Sequence, residues 1–180
     1  SRWVGKRCLL RRVGQVGARA WPKGGGGLRG AAWRDPEPVI FFEHKSLYNS
    51  KGEVPDGEIV DTLGTAKILR AGKDATIVAL ALMVPRALEA ANRLAAEHGI
   101  DCEVIDVRSL VPLDTQTILG SVAKTHHCFS VEENPRLCGW GAETMSIIAP
   151  AACSDPAGPP LRRPRPALHS PARLLSDNPQ

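Results

Sequence analysis

Aromatic residues are scarce in this 180-residue chain, at 4% of the total, and no hydrophobic run is long. Side chains that stack on exposed bases are therefore too few for the body of the chain to form a nucleic-acid groove. The longest apolar run, residues 76–84, falls far short of the roughly 20 residues that a membrane-spanning helix needs. For the body of the chain we predict no nucleic-acid partner and no membrane partner.

Cysteines are few and their spacing forms no recognisable framework. The five are Cys8, Cys102, Cys128, Cys138 and Cys153, an odd number without a CxxC pair. That pattern argues against a disulfide scaffold and a zinc ribbon, and it favours a reducing compartment. His126 and His127 are adjacent, so they point to different sides, and no third ligand has a suitable spacing. We therefore predict no metal site.

The net charge of +4 is unevenly spread along the chain. Residues 1–34 hold nine basic side chains and no acid, whereas residues 35–150 hold ten basic and seventeen acidic ones. Residues 151–180 hold four arginines and two aspartates. The basic character belongs to the ends, which leaves the middle of the chain acidic.

The two ends differ from the middle in composition. Residues 1–34 are rich in glycine and have no lasting hydrophobic period, so we predict an irregular, disordered segment; a mitochondrial transit segment and a reading-frame error are the alternatives. Residues 151–180 contain seven of the fifteen prolines. We predict a disordered tail there, with a polyproline II ligand segment as the alternative.

The middle of the chain, residues 35–150, alternates apolar strands with helical periodicity. Strands are predicted at 38–42, 64–69, 76–80, 102–107 and 128–131, and helices at 84–98, after Asp114 and from Gly141 to Ile148. Continuous apolar strands that alternate with helices are typical of a parallel sheet covered on both faces. We predict a three-layer α/β/α domain with a mostly parallel sheet.

The carboxyl ends of the strands are where ligands and partners collect in such a sheet. The first strand ends in Glu43, His44 and Lys45, the 102–107 strand in Asp106 and Arg108, and the 128–131 strand in Glu132, Glu133 and Asn134. We predict that Arg108 pairs with Glu132 or Glu133. His44 is the one candidate for acid–base chemistry or phosphate contact, with a surface histidine as the alternative.

Two further features have structural explanations. Gly139-Trp140-Gly141 opens a helix but matches no phosphate-binding motif, so we interpret its glycines as allowing tight packing between loop and helix. Cys102 and Cys128 fall within strands predicted to be buried, which argues against a catalytic cysteine.

The motifs of the middle region resemble a known family. They are PVIFFEHK at 38–45, GEVPDGE at 52–58, LGTAK at 63–67, GKDATIV at 72–78, EVIDVRSL at 103–110 followed by PLD, VEENPR at 131–136 and GWGAE at 139–143. In this order they resemble the beta subunit of thiamine-dependent 2-oxo acid dehydrogenases, over about residues 30–149. The resemblance implies a transketolase C-terminal domain over residues 35–150.

What the resemblance implies about function is a role within a larger enzyme. That enzyme decarboxylates a 2-oxo acid and passes the acyl group to lipoamide, using thiamine diphosphate with Mg²⁺ that this chain alone is not expected to bind. The implied partners are an alpha subunit, a second beta subunit and the lipoyl acyltransferase core, in the bacterial cytoplasm or the mitochondrial matrix. His44 is then the catalytic candidate, and the residues expected at the active-site entrance or a subunit contact are Glu43, Lys45, Arg108, Glu132, Glu133 and Arg136.

The chain also departs from the family. The pyrimidine-binding domain expected before residue 30 is missing, and the family's final strand is missing after the last helix. We therefore expect a partial beta subunit that is inactive alone. The alternatives are the C-terminal domain of a transketolase or deoxyxylulose-phosphate synthase, a non-catalytic α/β interaction module, and nucleic-acid binding through residues 1–34.

Overall fold

The computed structural model of the chain describes residues 15–18, 20, 22–49, 51–52, 61–134 and 139–153, with the backbone alone at 22–26 and 151–153. Its strands are β1 (Gln15–Ala18), β2 (Val39–Phe42), β3 (Lys67–Arg70), β4 (Ala75–Ala79), β5 (Cys102–Asp106), β6 (Ser109–Val111) and β7 (Cys128–Val131). Its helices are α1 (Pro22–Arg34), α2 (Met83–His98), α3 (Thr115–Thr125) and α4 (Trp140–Cys153), with a short 3-10 turn at Lys45–Leu47.

The main sheet has the order β3-β5-β4-β7. Strands β4, β5 and β7 are parallel, and β3 is an antiparallel edge strand beside β5. Every residue of β4 and β5 is buried, as continuous apolar strands require when helices cover both faces. The prediction of a mostly parallel α/β sheet is confirmed.

The helices form the two outer layers. Helix α2 packs on one face, where Met83, Val84 and Ala87 meet Ile77 and Val104. Helices α3 and α4 pack on the other face through the residues Ile118, Val122 and Ile148, which surround Val78 and Cys128. The predicted caps hold: Gly99 ends α2 with a φ of 67°, and Asp114 accepts a hydrogen bond of 3.0 Å from the Thr117 N–H at the start of α3.

Buried hydroxyl groups fix α3 to the sheet. Thr76 Oγ1 on β4 lies 2.6 Å from Ser121 Oγ and 2.7 Å from Thr125 Oγ1 on α3. Because each hydroxyl both donates and accepts, the three side chains satisfy one another without water. This polar contact sets the position of α3 along β4 as well as its distance from it.

A second sheet with the order β2-β1-β6 lies beside the main one and was not predicted. Strand β1 is parallel to β2 and antiparallel to β6. Gly17, in β1, packs beside Leu63 and Phe41, where a Cβ would make ordinary contacts at 3.4 and 3.5 Å. Only two residues, Val107 and Arg108, connect β5 of the main sheet to β6 of the second sheet.

The structure differs from the prediction of an irregular segment over residues 1–34. Strand β1 and helix α1 both lie there, and α1 includes the four consecutive glycines at 24–27. Intrinsic propensity opposes that helix, but tertiary contacts override propensity, and Leu28 of α1 is buried to 1% exposure. Helix α4 also passes the predicted limit at 150 and ends at Cys153. The predictions for residues 1–14 and 154–180 lie outside the described residues.

A turn shifts the start of one predicted strand. Strand β3 begins at Lys67 rather than at residue 64, because Gly64 adopts a φ of 81° in a turn against Pro112.

In the part of the chain that the structure describes, no helix combines the length and the apolarity needed to cross a membrane.

We expect two glycine-to-alanine substitutions to change stability in opposite directions. A Cβ at Gly72 would lie 2.3 Å from the Cys102 carbonyl carbon, so Gly72→Ala should lower the free energy of unfolding by about 3 kcal/mol. Gly120 sits in α3 with open space around it, so Gly120→Ala should raise the free energy of unfolding by about 0.5–1 kcal/mol. Urea unfolding measures both; equal effects would contradict the packing described at Gly72.

Candidate functional site

The carboxyl ends of β4, β5 and β7 meet at one edge of the main sheet because the three strands are parallel. The ends of β5 and β7 carry Asp106, Arg108, Glu132 and Glu133 to this edge. The segment after β2 carries Glu43 and His44, and an ion pair brings His44 to Glu133. Apart from Arg136, which lies outside the described residues, the predicted site residues follow these strand ends.

Arg108 forms the corner between the two sheets. Its φ of 61° lies in the left-handed region that residues other than glycine seldom adopt, and it turns the chain from β5 into β6. Its carbonyl accepts a hydrogen bond of 2.8 Å from the Ala18 N–H, which joins the corner to β1. Its guanidinium, nearly buried, pairs with Asp61 at 2.5 Å.

The prediction of which carboxylate pairs with Arg108 was wrong. We predicted Glu132 or Glu133, on the neighbouring strand end, but the left-handed corner places the guanidinium at Asp61. Asp61 lies in the connection before β3, far from Arg108 in sequence, and no periodic pattern marked it.

Glu132 occupies the amino terminus of α4. Its carboxylate is buried and accepts a hydrogen bond of 3.3 Å from the Gly141 N–H. A Cβ at Gly139 would lie 2.5 Å from Glu132 Oε1, and one at Gly141 would lie 2.7 Å from it. The glycines of the Gly139–Gly141 motif therefore make room for this carboxylate, which complements the helix dipole. Their predicted role in close packing agrees with this geometry.

His44 is engaged on both ring nitrogens. Its Nδ1 accepts a hydrogen bond of 3.2 Å from the Ser46 N–H, so the proton of the neutral ring resides on Nε2. Nε2 lies 3.4 Å from Glu133 Oε1, and both side chains are about one-third exposed (32%). The pair links the segment after β2 to the segment after β7 at the mouth of the site.

Glu43 and Lys45 lie on either side of His44. Glu43 pairs with Arg29 of α1 and accepts a hydrogen bond of 3.4 Å from the Tyr48 hydroxyl. Lys45 begins the 3-10 turn and is exposed. The acidic groups at this edge are thus largely matched by basic or N–H partners from neighbouring segments.

Asp106 is the residue of this edge that sequence reasoning underrated. It is 4% exposed, and its Oδ1 has no hydrogen-bond partner. Burial raises the pKa of Asp106 to about 7, and the nearby Arg108 and Lys67 charges offset only part of that effect. The signal in the sequence was an acid that directly follows the apolar pair Val104-Ile105 in a strand that is buried on both faces.

Glu103 lies at the opposite end of β5, and its contacts give it a structural role. Burial alone would raise the pKa of Glu103, but the Lys124 ammonium and the Ser121 hydroxyl lower it below its ordinary value. The Glu103–Lys124 ion pair ties α3 to the start of β5. This carboxylate is therefore ionised and held away from the strand-end site.

The thiols and the metal-ligating side chains offer no reactive centre in the described part of the chain. Burial raises the pKa of Cys128 to about 12 and also raises the pKa of Cys102, so neither is a thiolate at neutral pH. Among residues 15–18, 20, 22–49, 51–52, 61–134 and 139–153, no three His, Cys, Asp or Glu side chains come together to hold a metal ion. The strand-end carboxylates do not fit a site for a magnesium diphosphate: Glu43, Glu132 and Glu133 are engaged with internal partners, and Asp106 is buried.

Comparisons with known proteins agree on one family. The model for "Transketolase, C-terminal domain" matches residues 64–175. The chain is 47% identical over 126 residues to the beta subunit of acetoin:2,6-dichlorophenolindophenol oxidoreductase of Cupriavidus necator, covering 70% of this chain and 37% of that protein. It is also 47% identical over 122 residues to the pyruvate dehydrogenase E1 component subunit beta of Rickettsia felis, covering 68% and 37%.

Further relatives extend the comparison to mitochondria and to a solved structure. The mitochondrial pyruvate dehydrogenase E1 component subunit beta of Ascaris suum is 49% identical over 126 residues, with 68% of this chain and 35% of that protein covered. A solved split-gene transketolase, described as an inactive beta4 tetramer, superposes with a TM-score of 0.63 at 30% identity and covers 76% of this chain and 44% of that one. The chain spans little more than a third of the length of the curated relatives it matches.

We expect Asp106→Asn to change how stability depends on pH. Because the pKa of Asp106 rises from 3.8 to about 7 on folding, the folded chain holds this proton more tightly, and the free energy of unfolding falls as pH rises across that window. The asparagine variant lacks this loss, so it should gain up to about 4 kcal/mol relative to the unchanged chain between pH 4 and pH 8. Urea unfolding at several pH values measures the difference.

The control for this prediction is Glu89→Gln, which removes the same charge from an exposed position on α2. Its stability relative to the unchanged chain should stay constant over the same pH range. A constant difference for Asp106→Asn as well would show that Asp106 is not protonated in the folded chain near neutral pH.

Proposed function

The chain belongs to the transketolase C-terminal domain family, and we propose that it serves as the C-terminal part of the beta subunit of a thiamine-dependent 2-oxo acid dehydrogenase. The observation that carries the proposal is its 45–49% identity to beta subunits of pyruvate dehydrogenase and of acetoin oxidoreductase. The enzyme it joins would decarboxylate a 2-oxo acid oxidatively and transfer the acyl group to lipoamide.

Within that enzyme the chain would contribute subunit association. Alternate residues of β2, Ile40 and Phe42, are 43% and 58% exposed, and Tyr48 nearby in sequence is 57% exposed. Among the strands that the structure describes, β2 is also an edge of its sheet. Large apolar side chains in water on a sheet edge are typical of a surface that a neighbouring subunit or domain covers. The proposed occupants are the alpha subunit and a second beta subunit, with the lipoyl acyltransferase core as a further partner.

The chain would also shape the active-site entrance. The candidates are the strand-end residues Glu43, Lys45, Arg108, Glu132 and Glu133, together with Arg136. The Arg108–Asp61 pair and the Glu132 contact with α4 hold the backbone of these segments in place. His44 is the one candidate there for proton transfer, since its Nε2 proton faces Glu133.

Thiamine diphosphate and Mg²⁺ would be held by other parts of the assembled enzyme. The described carboxylates do not fit a magnesium diphosphate site, and their negative charge disfavours a diphosphate at this edge. The cofactor would supply the carbanion chemistry, and this chain would supply association and the walls of the approach to it.

A transketolase or a deoxyxylulose-phosphate synthase is a second candidate, because the family match and the split-gene transketolase likeness include that class. Phe41 and His44 favour the dehydrogenase, since the synthase pattern has arginines on this strand to bind a substrate phosphate. Relatives occur both in bacteria and in mitochondria, and we propose a reducing compartment of either kind.

We expect the purified chain to have no activity alone. With thiamine diphosphate, Mg²⁺ and pyruvate, it should release no CO₂ and reduce no 2,6-dichlorophenolindophenol above the protein-free rate. The matched control is a full-length beta subunit of a pyruvate dehydrogenase E1 component mixed with its alpha subunit under the same conditions. Turnover by the chain without any partner would overturn the proposed division of labour.

We expect the exposed face of β2 to bind the partner subunits. Phe42→Glu should weaken capture of the alpha subunit of a pyruvate dehydrogenase E1 component by at least about tenfold, because the substitution puts a charge into an apolar contact. Ile68→Glu, at a 46% exposed position on β3 in the other sheet, is the matched control and should leave capture unchanged. Failure of the unchanged chain to bind either E1 subunit would favour the independent interaction module.

A further inference from the structure

Two aspartates lie beside one guanidinium at the corner between the two sheets. Arg108 pairs with Asp61 at 2.5 Å, and its side chain is only 8% exposed. Asp106, two residues before Arg108, is buried and keeps its Oδ1 without a hydrogen-bond partner. Of the charges that act on Asp106, that of Arg108 is the strongest, and the Arg108 N–H lies within hydrogen-bonding reach of its carboxylate. One nearly buried cation therefore lies beside two acids and pairs with one of them.

The other surroundings of Asp106 offer it no closer match. Its side chain shares a face of β5 with Val104, and α2 covers that face. Every charged residue of α2 is exposed. The neighbouring strands place Ala79 of β4 and the exposed Lys67 of β3 opposite Asp106. Among the described residues, the charged groups that act on Asp106 are thus Arg108 and, more weakly, Lys67.

The pair with Arg108 also fixes the segment to which Asp61 belongs. Asp61 lies in the connection before β3, and its N–H donates a hydrogen bond of 3.4 Å to the Gly27 carbonyl of α1. The backbone of the corner is held separately, because the Arg108 carbonyl accepts a hydrogen bond from the Ala18 N–H. A guanidinium that changed its partner would therefore release Asp61 and leave the crossing between the two sheets in place.

The charge on Asp106 determines how strongly it competes for the guanidinium. Burial raises the pKa of Asp106 to about 7, so its carboxyl group is mostly protonated at pH 5.5 and mostly ionised at pH 8.5. A protonated Asp106 has no charge to attract Arg108. An ionised Asp106 is a buried anion, and it needs the cation more than Asp61 does, because water reaches the partly exposed Asp61.

We propose that Asp106 is a proton-controlled switch that determines which carboxylate Arg108 pairs with. With its proton in place, Arg108 pairs with Asp61 and fixes the connection before β3, together with α1. When the proton leaves to solvent, the guanidinium turns toward Asp106, and the connection and α1 are held less firmly. The proposal concerns the chain by itself and is independent of the function proposed above.

A double-mutant cycle on the full chain measures how strongly Arg108 and Asp61 interact. Asp61→Asn, Arg108→Gln and the double variant are compared with the unchanged chain by urea unfolding at pH 5.5 and at pH 8.5. We express the coupling as a factor in the unfolding equilibrium constant. It should be at least about fivefold at pH 5.5 and less than about twofold at pH 8.5.

Two controls separate the switch from a general effect of pH. In an Asp106→Asn background the coupling between Arg108 and Asp61 should be the same at both pH values, because asparagine carries no charge that competes. The Arg70–Asp101 ion pair, with an N–O distance of 2.8 Å, lies at the other end of β5. Its coupling, measured with Arg70→Gln and Asp101→Asn, should also be the same at both pH values.

A spectroscopic measurement follows the switch without any change at Arg108. The carbon-13 resonance of the Asp61 carboxyl group should move between pH 5.5 and pH 8.5 in the unchanged chain, following the titration of Asp106. In Asp106→Asn the same resonance should stay constant over that range. This readout keeps the test decisive if Arg108→Gln fails to fold.

Two results would overturn the proposal. The first is that, in the unchanged chain, the coupling between Arg108 and Asp61 does not fall from pH 5.5 to pH 8.5 or the Asp61 resonance does not move. The second is that the change with pH persists in Asp106→Asn, because another titrating group would then be responsible for it.

Discussion

Burial of β4 and β5 on both faces is the constraint from which most of the structure follows. Each polar side chain that these strands carry must find a partner under a covering helix or lose its hydration without compensation. Thr76 finds the hydroxyls of α3, and Glu103 finds Lys124 of the same helix. Glu103 and Asp106 each keep one oxygen without a partner. Of the two, only Asp106 lacks a close ammonium or hydroxyl partner, and burial raises its pKa to about 7.

The same constraint gives the strand-end edge its character. Arg108 and Glu132 are buried there, and each is matched by a group from a neighbouring segment rather than left facing solvent. Charged residues used in this way position the backbone, so the edge resembles a rigid rim more than a pocket with reactive groups. A rim suits the role proposed for this domain, at the border of the active site of a larger enzyme in which other parts would hold the cofactor.

The sequence was most informative where burial was greatest. Strand β4 could be predicted because its apolar run is short, rich in β-branched residues and preceded by a turn, and helix α2 could be predicted because its 3.6-residue period persists over four turns. Strand β1 and helix α1 could not, because a short strand and a glycine run owe their structure to tertiary contacts. The partner of Arg108 was out of reach for a related reason: it depends on one left-handed residue, and backbone conformation at a single position leaves no periodic trace.

The corner at Arg108 has a mechanical consequence. Only Val107 and Arg108 separate β5 from β6, and both are buried and hydrogen-bonded, Val107 to Ala79 and Arg108 to Ala18. The chain therefore has no slack at this crossing that could act as a hinge. If a docked neighbour displaced the β2-β1-β6 sheet, strand β5 of the main sheet would have to move with it. The two sheets would then move together.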